Sequence, residues 1–277
     1  MFDPLSVGAS IVGITVPAIH VIRLLLDDLN NIINAPKAIQ TLKDDITSAE
    51  MSLQSLQTIE DTEWEVLGET IANQSKAAIE NCARACDMFR NDLQRWTRHS
   101  EQGRLSWQDR AKVGFFKEHQ IKAMSKQLQS CKITFNAAVG IATLYSSIRH
   151  THITEEIRKT ISMKEAEISN AITSTDLQLA EMETALGEIR LTGSAHEEGQ
   201  NEEDITNAVK QIEEEQVALG GSRTLLEELL SKAREDFIAR AASESKKRST
   251  GVTFGNSNSG FQAGVVIGPI SGVTFGK

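Results

Sequence analysis

Residues 39–56 read IQTLKDDITSAEMSLQSL, with Ile39, Leu42, Ile46, Ala49, Leu53 and Leu56 at alternating steps of three and four. That rhythm lines one face of an α-helix with apolar groups. It continues through Trp64, Leu67 and Ile71, then Ile79, Cys82, Cys86, Phe89, Leu93 and Trp96. It returns in Ile121, Met124, Leu128, Cys131, Phe135 and Ala138, with Tyr145 a heptad on, and in Ile168, Ile172, Thr175, Leu179, Met182, Leu186 and Ile189. A last stretch carries Ile205, Val209 and Ile212, then Leu226, Leu229, Leu230, Ala233 and Phe237. No proline falls between Lys37 and Gly268, and aromatics make up only 5% of the chain, which disfavours a β-sandwich or barrel. The pattern predicts an all-α protein, a bundle of long antiparallel helices with coiled-coil-like packing.

The breaks carry helix signals. Thr62-Glu63-Trp64-Glu65 reads as a capping box, and Ser106 stands before Asp109 at the same spacing, with Gly103 in the turn ahead of it. Gly193 to Glu203 is polar and acidic without apolar periodicity, which predicts an exposed loop. Gly220-Gly221 predicts a break between two helices, with Ser222 capping the second. The net charge of −9 makes nonspecific nucleic-acid binding a poor expectation. Three cysteines are too few for a disulfide framework and suit a reducing compartment.

Both ends depart from this middle. Residues 4–22, PLSVGASIVGITVPAIHVI, run for 19 residues without Asp, Glu, Lys or Arg. A spanning helix needs roughly 20 apolar residues. No basic stretch precedes the run, as a secretory signal requires. Leu5, Val7, Ile11, Val12, Ile14, Val16, Ile19, Val21 and Ile22 are the candidate membrane-inserting residues. Ser6 with Ser10, and Ala9 with Gly13, are spaced for close helix contact in a membrane. Pro17 predicts a kink. A buried core helix fits the same composition, and the two readings are compatible if the segment moves.

At the other end, Ser243 to Thr250 is polar with Lys246-Lys247-Arg248 in series, and residues 251–276 carry no charge. Seven of the 18 glycines lie there, recurring at every fourth position from Gly260 to Gly276. The pentad GVTFG appears at Gly251–Gly255 and again at Gly272–Gly276. Glycine at this density opposes helix. Short uncharged β-prone pieces between glycines have the marks of cross-β stacking, with Asn256, Asn258 and Gln262 able to form ladders between copies. The candidate amyloid core is Val252, Phe254, Gly255, Asn256, Gly260, Phe261, Gln262, Ala263, Gly264, Val265, Ile267, Gly268, Val273, Phe275 and Gly276. The expected organisation is a helical domain over 1–243, a basic linker over 244–250 and a disordered, amyloid-forming tail over 251–277.

Other constellations carry less. Cys82 and Cys86 share a helical face without a CxxC pair or nearby histidines, which favours core packing over zinc. His150 and His152 fit no ligand spacing, and Glu213-Glu214-Glu215 reads as a solvated helix face. Gly220-Gly221-Ser222-Arg223 lacks the spacing and lysine of a phosphate-binding loop. No nucleophile has an evident base. The expectation is a chain with no enzymatic activity, no metal and no cofactor.

The tail and the apolar start together resemble the fungal cell-death executioners with a HeLo or HeLo-like domain, of the HET-S type. Gly251–Gly255, Gly260-Phe261-Gln262-Ala263-Gly264 and Gly272–Gly276 are similar to the pseudo-palindromic motif of the HELLP proteins, itself similar to the RHIM motif of animal necroptosis kinases. Phe261 and Ala263 stand where the RHIM core has aliphatics. The resemblance implies an executioner bundle like that of MLKL. It implies that a NOD-like receptor with a matching motif templates the tail, and that the helical domain then permeabilises the plasma membrane. The implied partners are further copies of the chain, that receptor and plasma-membrane lipids, without nucleic acid. The implied localisation is cytoplasmic at rest and plasma-membrane after activation. The alternative is a non-lytic adaptor or scaffold that assembles signalling amyloid fibres.

Overall fold

The structure, a computed structural model, describes residues 7–32, 35–97, 115–149, 154–193 and 202–248. Seven helices occupy them: α1 Val7–Asn30, α2 Lys37–Leu56, α3 Asp61–Leu67, α4 Glu69–Thr97, α5 Phe115–Arg149, α6 Glu155–Gly193 and α7 Glu202–Arg248. The described residues contain no strand. The chain divides into two compact units, 1–233 and 234–277. Helices α1 to α6 and the greater part of α7 belong to the first.

The apolar stripes become the core. Ile39, Leu42, Ile46, Ala49, Leu53 and Leu56 of α2 are all buried, as are Ile121, Met124, Leu128, Cys131, Phe135, Ala138 and Tyr145 of α5. Helix α5 packs on α2, α3, α4 and α6, and α1 packs on α2, α3 and α4. Pairings along α5 give the directions of its neighbours. Lys126 of α5 meets Glu181 of α6 at 3.0 Å, and Gly140 lies beside the Lys164 side chain, so α6 runs antiparallel to α5. Gln120 meets Gln211 of α7 at 2.9 Å, and the Tyr145 hydroxyl donates to the Lys232 carbonyl at 2.8 Å, so α7 runs parallel to α5.

Some boundaries fall elsewhere than the local signals predict. The Glu60 N–H donates to the Glu63 carboxylate at 2.9 Å, so the reciprocal cap of α3 sits at Glu60 and Thr62 lies inside the helix. Gly68, at φ 95°, takes the left-handed turn that separates α3 from α4, a conformation costly for any side chain. Gly220 and Gly221 do not break α7. A Cβ on Gly221 would stand 3.4 Å from the Asn81 amide nitrogen of α4, an ordinary contact. Leu219, Ser222, Leu225 and Leu226 are buried on either side and hold the helix through the pair. Ser106, Gly103, His150 and His152 lie outside the described residues.

The expectation of a membrane-inserting N-terminal helix is corrected. Helix α1 continues past Ile22 through Arg23, Asp27 and Asp28 to Asn30. Among the described residues no helix is long and apolar enough to cross a membrane. Pro17 sits inside α1 on an exposed position, one turn after exposed Gly13. Gly13, whose carbonyl loses its helical donor to the proline, is exposed and carries no side chain to crowd the ring.

Candidate functional site

Two regions carry functional expectations from sequence, and the structure describes part of one. On α1, Ile11 and Ile22 are fully buried and Ile19 nearly so, whereas Val12 and Val16 are exposed at 41% and 56%. Ile14 and Val21 are half-buried. Leu5 and Ser6 lie outside the described residues, and of Val7, Ala9 and Ser10 only the helical backbone is described. Gly13 has open space around it, with no neighbour within 4 Å of a Cβ there. The candidate inserting residues therefore do not form one continuous face. Ile11, Ile19 and Ile22 belong to the protein core, with Leu25 and Leu29 in the same row. Burying five such aliphatic side chains contributes roughly 1.5–3 kcal/mol each. These contacts tie α1 into the bundle core, and removing it from the bundle exposes them. The membrane-permeabilising mechanism falls because, among the described residues, no helix is long and apolar enough to cross a membrane. The tail residues from Val252 to Gly276 lie outside the described residues.

The three thiols meet between α4 and α5. Cys82, Cys86 and Cys131 are free and buried. The Cys131 thiol pulls the Cys82 pKa down, but Cys86 and burial outweigh it and leave Cys82 well above the ordinary thiol value. Hydrogen bonding to Cys82, then burial, raises Cys131 likewise. Protonated, enclosed thiols are poor nucleophiles. No group of three or more His, Cys, Asp or Glu among the described residues is arranged to hold a metal ion.

The arrangement with most chemical content is a cleft between α4, α5 and α7. The glutamate run at 213–215 forms only in part the solvated face that its composition predicts: Glu213 is exposed, but Glu214 is half-buried and Glu215 is 6% exposed. Glu214 Oε2 and Glu215 Oε1 are enclosed without a hydrogen-bond partner among the described residues. Both residues line the cleft with Asp92 and Arg84 of α4 and Met124 of α5. Burial pushes the Glu215 carboxyl up to about 7, against the pull of the Lys126 ammonium. Asp92 is raised by burial, with Arg95 opposing. Carboxylate oxygens shut away from water and from donors hold a proton or attract a cation. The signal is present in the chain: Glu215, Ala218, Ser222, Leu225 and Leu229 are buried at steps of three and four, so Glu215 lies in phase with the core stripe of α7.

Comparison with known proteins addresses the bundle. Residues 2–219 match the sequence profile of the family described as Pigment biosynthesis cluster protein PigL N-terminal. No curated protein and no solved structure matches the chain. The expected kinship with HeLo-like executioners of the HELLP and HET-S type is overturned by this match, and the picture of an amyloid executioner falls with it. The flat expectation of no enzymatic activity does not stand either, because the family takes its description from a protein of a pigment biosynthesis cluster.

Proposed function

We propose that this chain, which belongs to the PigL N-terminal family, is a non-lytic scaffold: the helical bundle is the carried domain, and the uncharged glycine-stepped tail assembles copies into fibres. One observation carries the reading. The apolar side chains of α1 that suggest membrane insertion, Ile11, Ile19 and Ile22, are already packed inside the bundle. Association then falls to residues 251–276, which carry no charge and repeat the pentad GVTFG. Stacked copies satisfy each other's backbone groups, with Asn256, Asn258 and Gln262 in register. One short segment alone buries too little surface to fold, which makes assembly concentration-dependent and seedable. The partners are other copies and a protein bearing a matching glycine-stepped segment. A reducing, cytoplasmic setting suits the three free thiols.

The test is seeded assembly of the full chain, followed by light scattering in the presence of dye-loaded liposomes. The wild-type chain is expected to form sedimentable fibres while the dye stays inside. Gly264→Asp is expected to stop fibre growth and leave helicity unchanged, because it places a charge in every layer of the stack. Fibres from that variant at the wild-type rate, or dye release during assembly, would contradict the proposal.

A further inference from the structure

The cleft between α4, α5 and α7 has a volume of about 40 Å³ and a mixed lining. Met88, Phe89 and Met124 supply apolar walls, Asp92, Glu214 and Glu215 bring three carboxylates, and Arg84 and three side-chain amides complete the polar part. Glu215 is 6% exposed, and its Oε1 and the Oε2 of Glu214 are enclosed without a hydrogen-bond partner among the described residues. The Lys126 ammonium on α5, which pulls on Glu215 from a distance, is held 3.0 Å from Glu181 of α6. Among the described residues nothing polar answers these two oxygens, and buried carboxylates in that condition are costly.

The missing donor has a recognisable chemistry. A divalent metal needs several converging ligands, and no group of three His, Cys, Asp or Glu among the described residues provides them. Two methionines and a phenylalanine do nothing for a hydrated inorganic ion. They suit methylene groups. A primary ammonium brings three donors in the volume of a water molecule, and its alkyl stem meets the apolar wall.

We propose that the cleft between α4, α5 and α7 binds the ammonium end of a primary alkylamine, with Glu214 and Glu215 accepting its hydrogen bonds and Met88, Phe89 and Met124 enclosing its first methylenes. This goes beyond the scaffold reading and does not depend on it. Two sources supply that chemistry, a free aliphatic diamine and a lysine side chain of a protein. Binding holds Glu215 in its ionised form. With its carboxyl at about 7, roughly half the molecules lose a proton from it on binding at pH 7.

The experiment is calorimetric titration of the unassembled full chain with 1,5-diaminopentane at pH 7, in phosphate and in MOPS. Saturable binding that releases about half a proton is expected, from the dependence of the heat on the buffer. Glu215→Gln and Glu214→Gln are each expected to weaken it about ten-fold or more while keeping helicity, and 1,5-pentanediol is expected not to bind. Parallel titration with an acetyl-lysine N-methylamide separates the sources: tighter binding than the diamine assigns the site to a protein lysine, weaker binding to a free amine. No binding of either amine up to about 10 mM overturns the proposal. So does unchanged affinity in both variants.

Discussion

Helices α1 and α7 mislead in opposite directions. Helix α1 has the composition of a membrane segment, yet one face of it is bundle core and the other carries exposed Val16, Pro17 and His20. Helix α7 contains three consecutive glutamates, the usual mark of a solvated face, yet it buries Glu215 and half-buries Glu214. Composition averages over all sides of a helix, whereas burial depends on which side meets a neighbour. The phase of each residue against the apolar stripe decides both cases: Ile11, Ala18, Ile22, Leu25 and Leu29 on one helix, Glu215, Ala218, Ser222 and Leu225 on the other.

The sharpest way to break this contrast is to place the same charge on both sides of α1. Ile22→Asp sets a carboxylate at a position with no solvent exposure, and is expected to lower unfolding free energy by more than about 4 kcal/mol or abolish folding. Val16→Asp, at 56% exposure, is expected to stay within about 0.5 kcal/mol. Urea denaturation measures both. Equal effects would mean that α1 is not seated as described.

On α7 the contrast is tested through pH. The folded-state pKa of Glu215, about 7, lies above its ordinary value of 4.5, so the folded protein holds that proton more tightly than the unfolded chain. Its contribution is most favourable in acid, declines as pH rises from about 4.5 to about 7, and is level above that. Glu215→Gln is therefore expected to stabilise the protein at pH 8 by on the order of 3 kcal/mol and to flatten this part of the pH profile. A destabilised variant at pH 8 would show that the ionised carboxylate has a partner inside the bundle.

A smaller effect tests the seam between α5 and α7. Tyr145→Phe removes the donor to the Lys232 carbonyl and keeps the ring, at an expected loss of about 1 kcal/mol. Smaller still is Arg23→Ala, which breaks an ion pair with Glu50 whose arginine side chain is 56% exposed. The expected change is below about 1 kcal/mol and shrinks with added salt.

Much of the bundle is legible from residue spacing. The stripes of α2 and α5 point into the core at every position named for them. On α6 the same rhythm overstates burial: Ile168, Thr175 and Leu186 are buried, but Ile172, Leu179, Met182 and Ile189 are only half-buried. A stripe records which face is apolar and not how completely a neighbour covers it. The glycine pair at 220–221 reads as a break because local propensity opposes helix there, but packing on both sides outweighs a cost of about 1 kcal/mol per glycine. The acidic cleft is obscured when the glutamates are weighed as a run and not as separate positions of α7. The resemblance to membrane executioners rests on an apolar start and a tail motif, and neither constrains the family of the helices between them.

The most direct measurement is hydrogen exchange of the full chain before and after seeded assembly. Amides of α1 from Ile11 to Leu29 are expected to keep their protection while residues 251–276 gain it. Loss of protection in α1 on assembly, or a tail that exchanges freely in the sedimented material, would contradict a scaffold whose bundle stays intact.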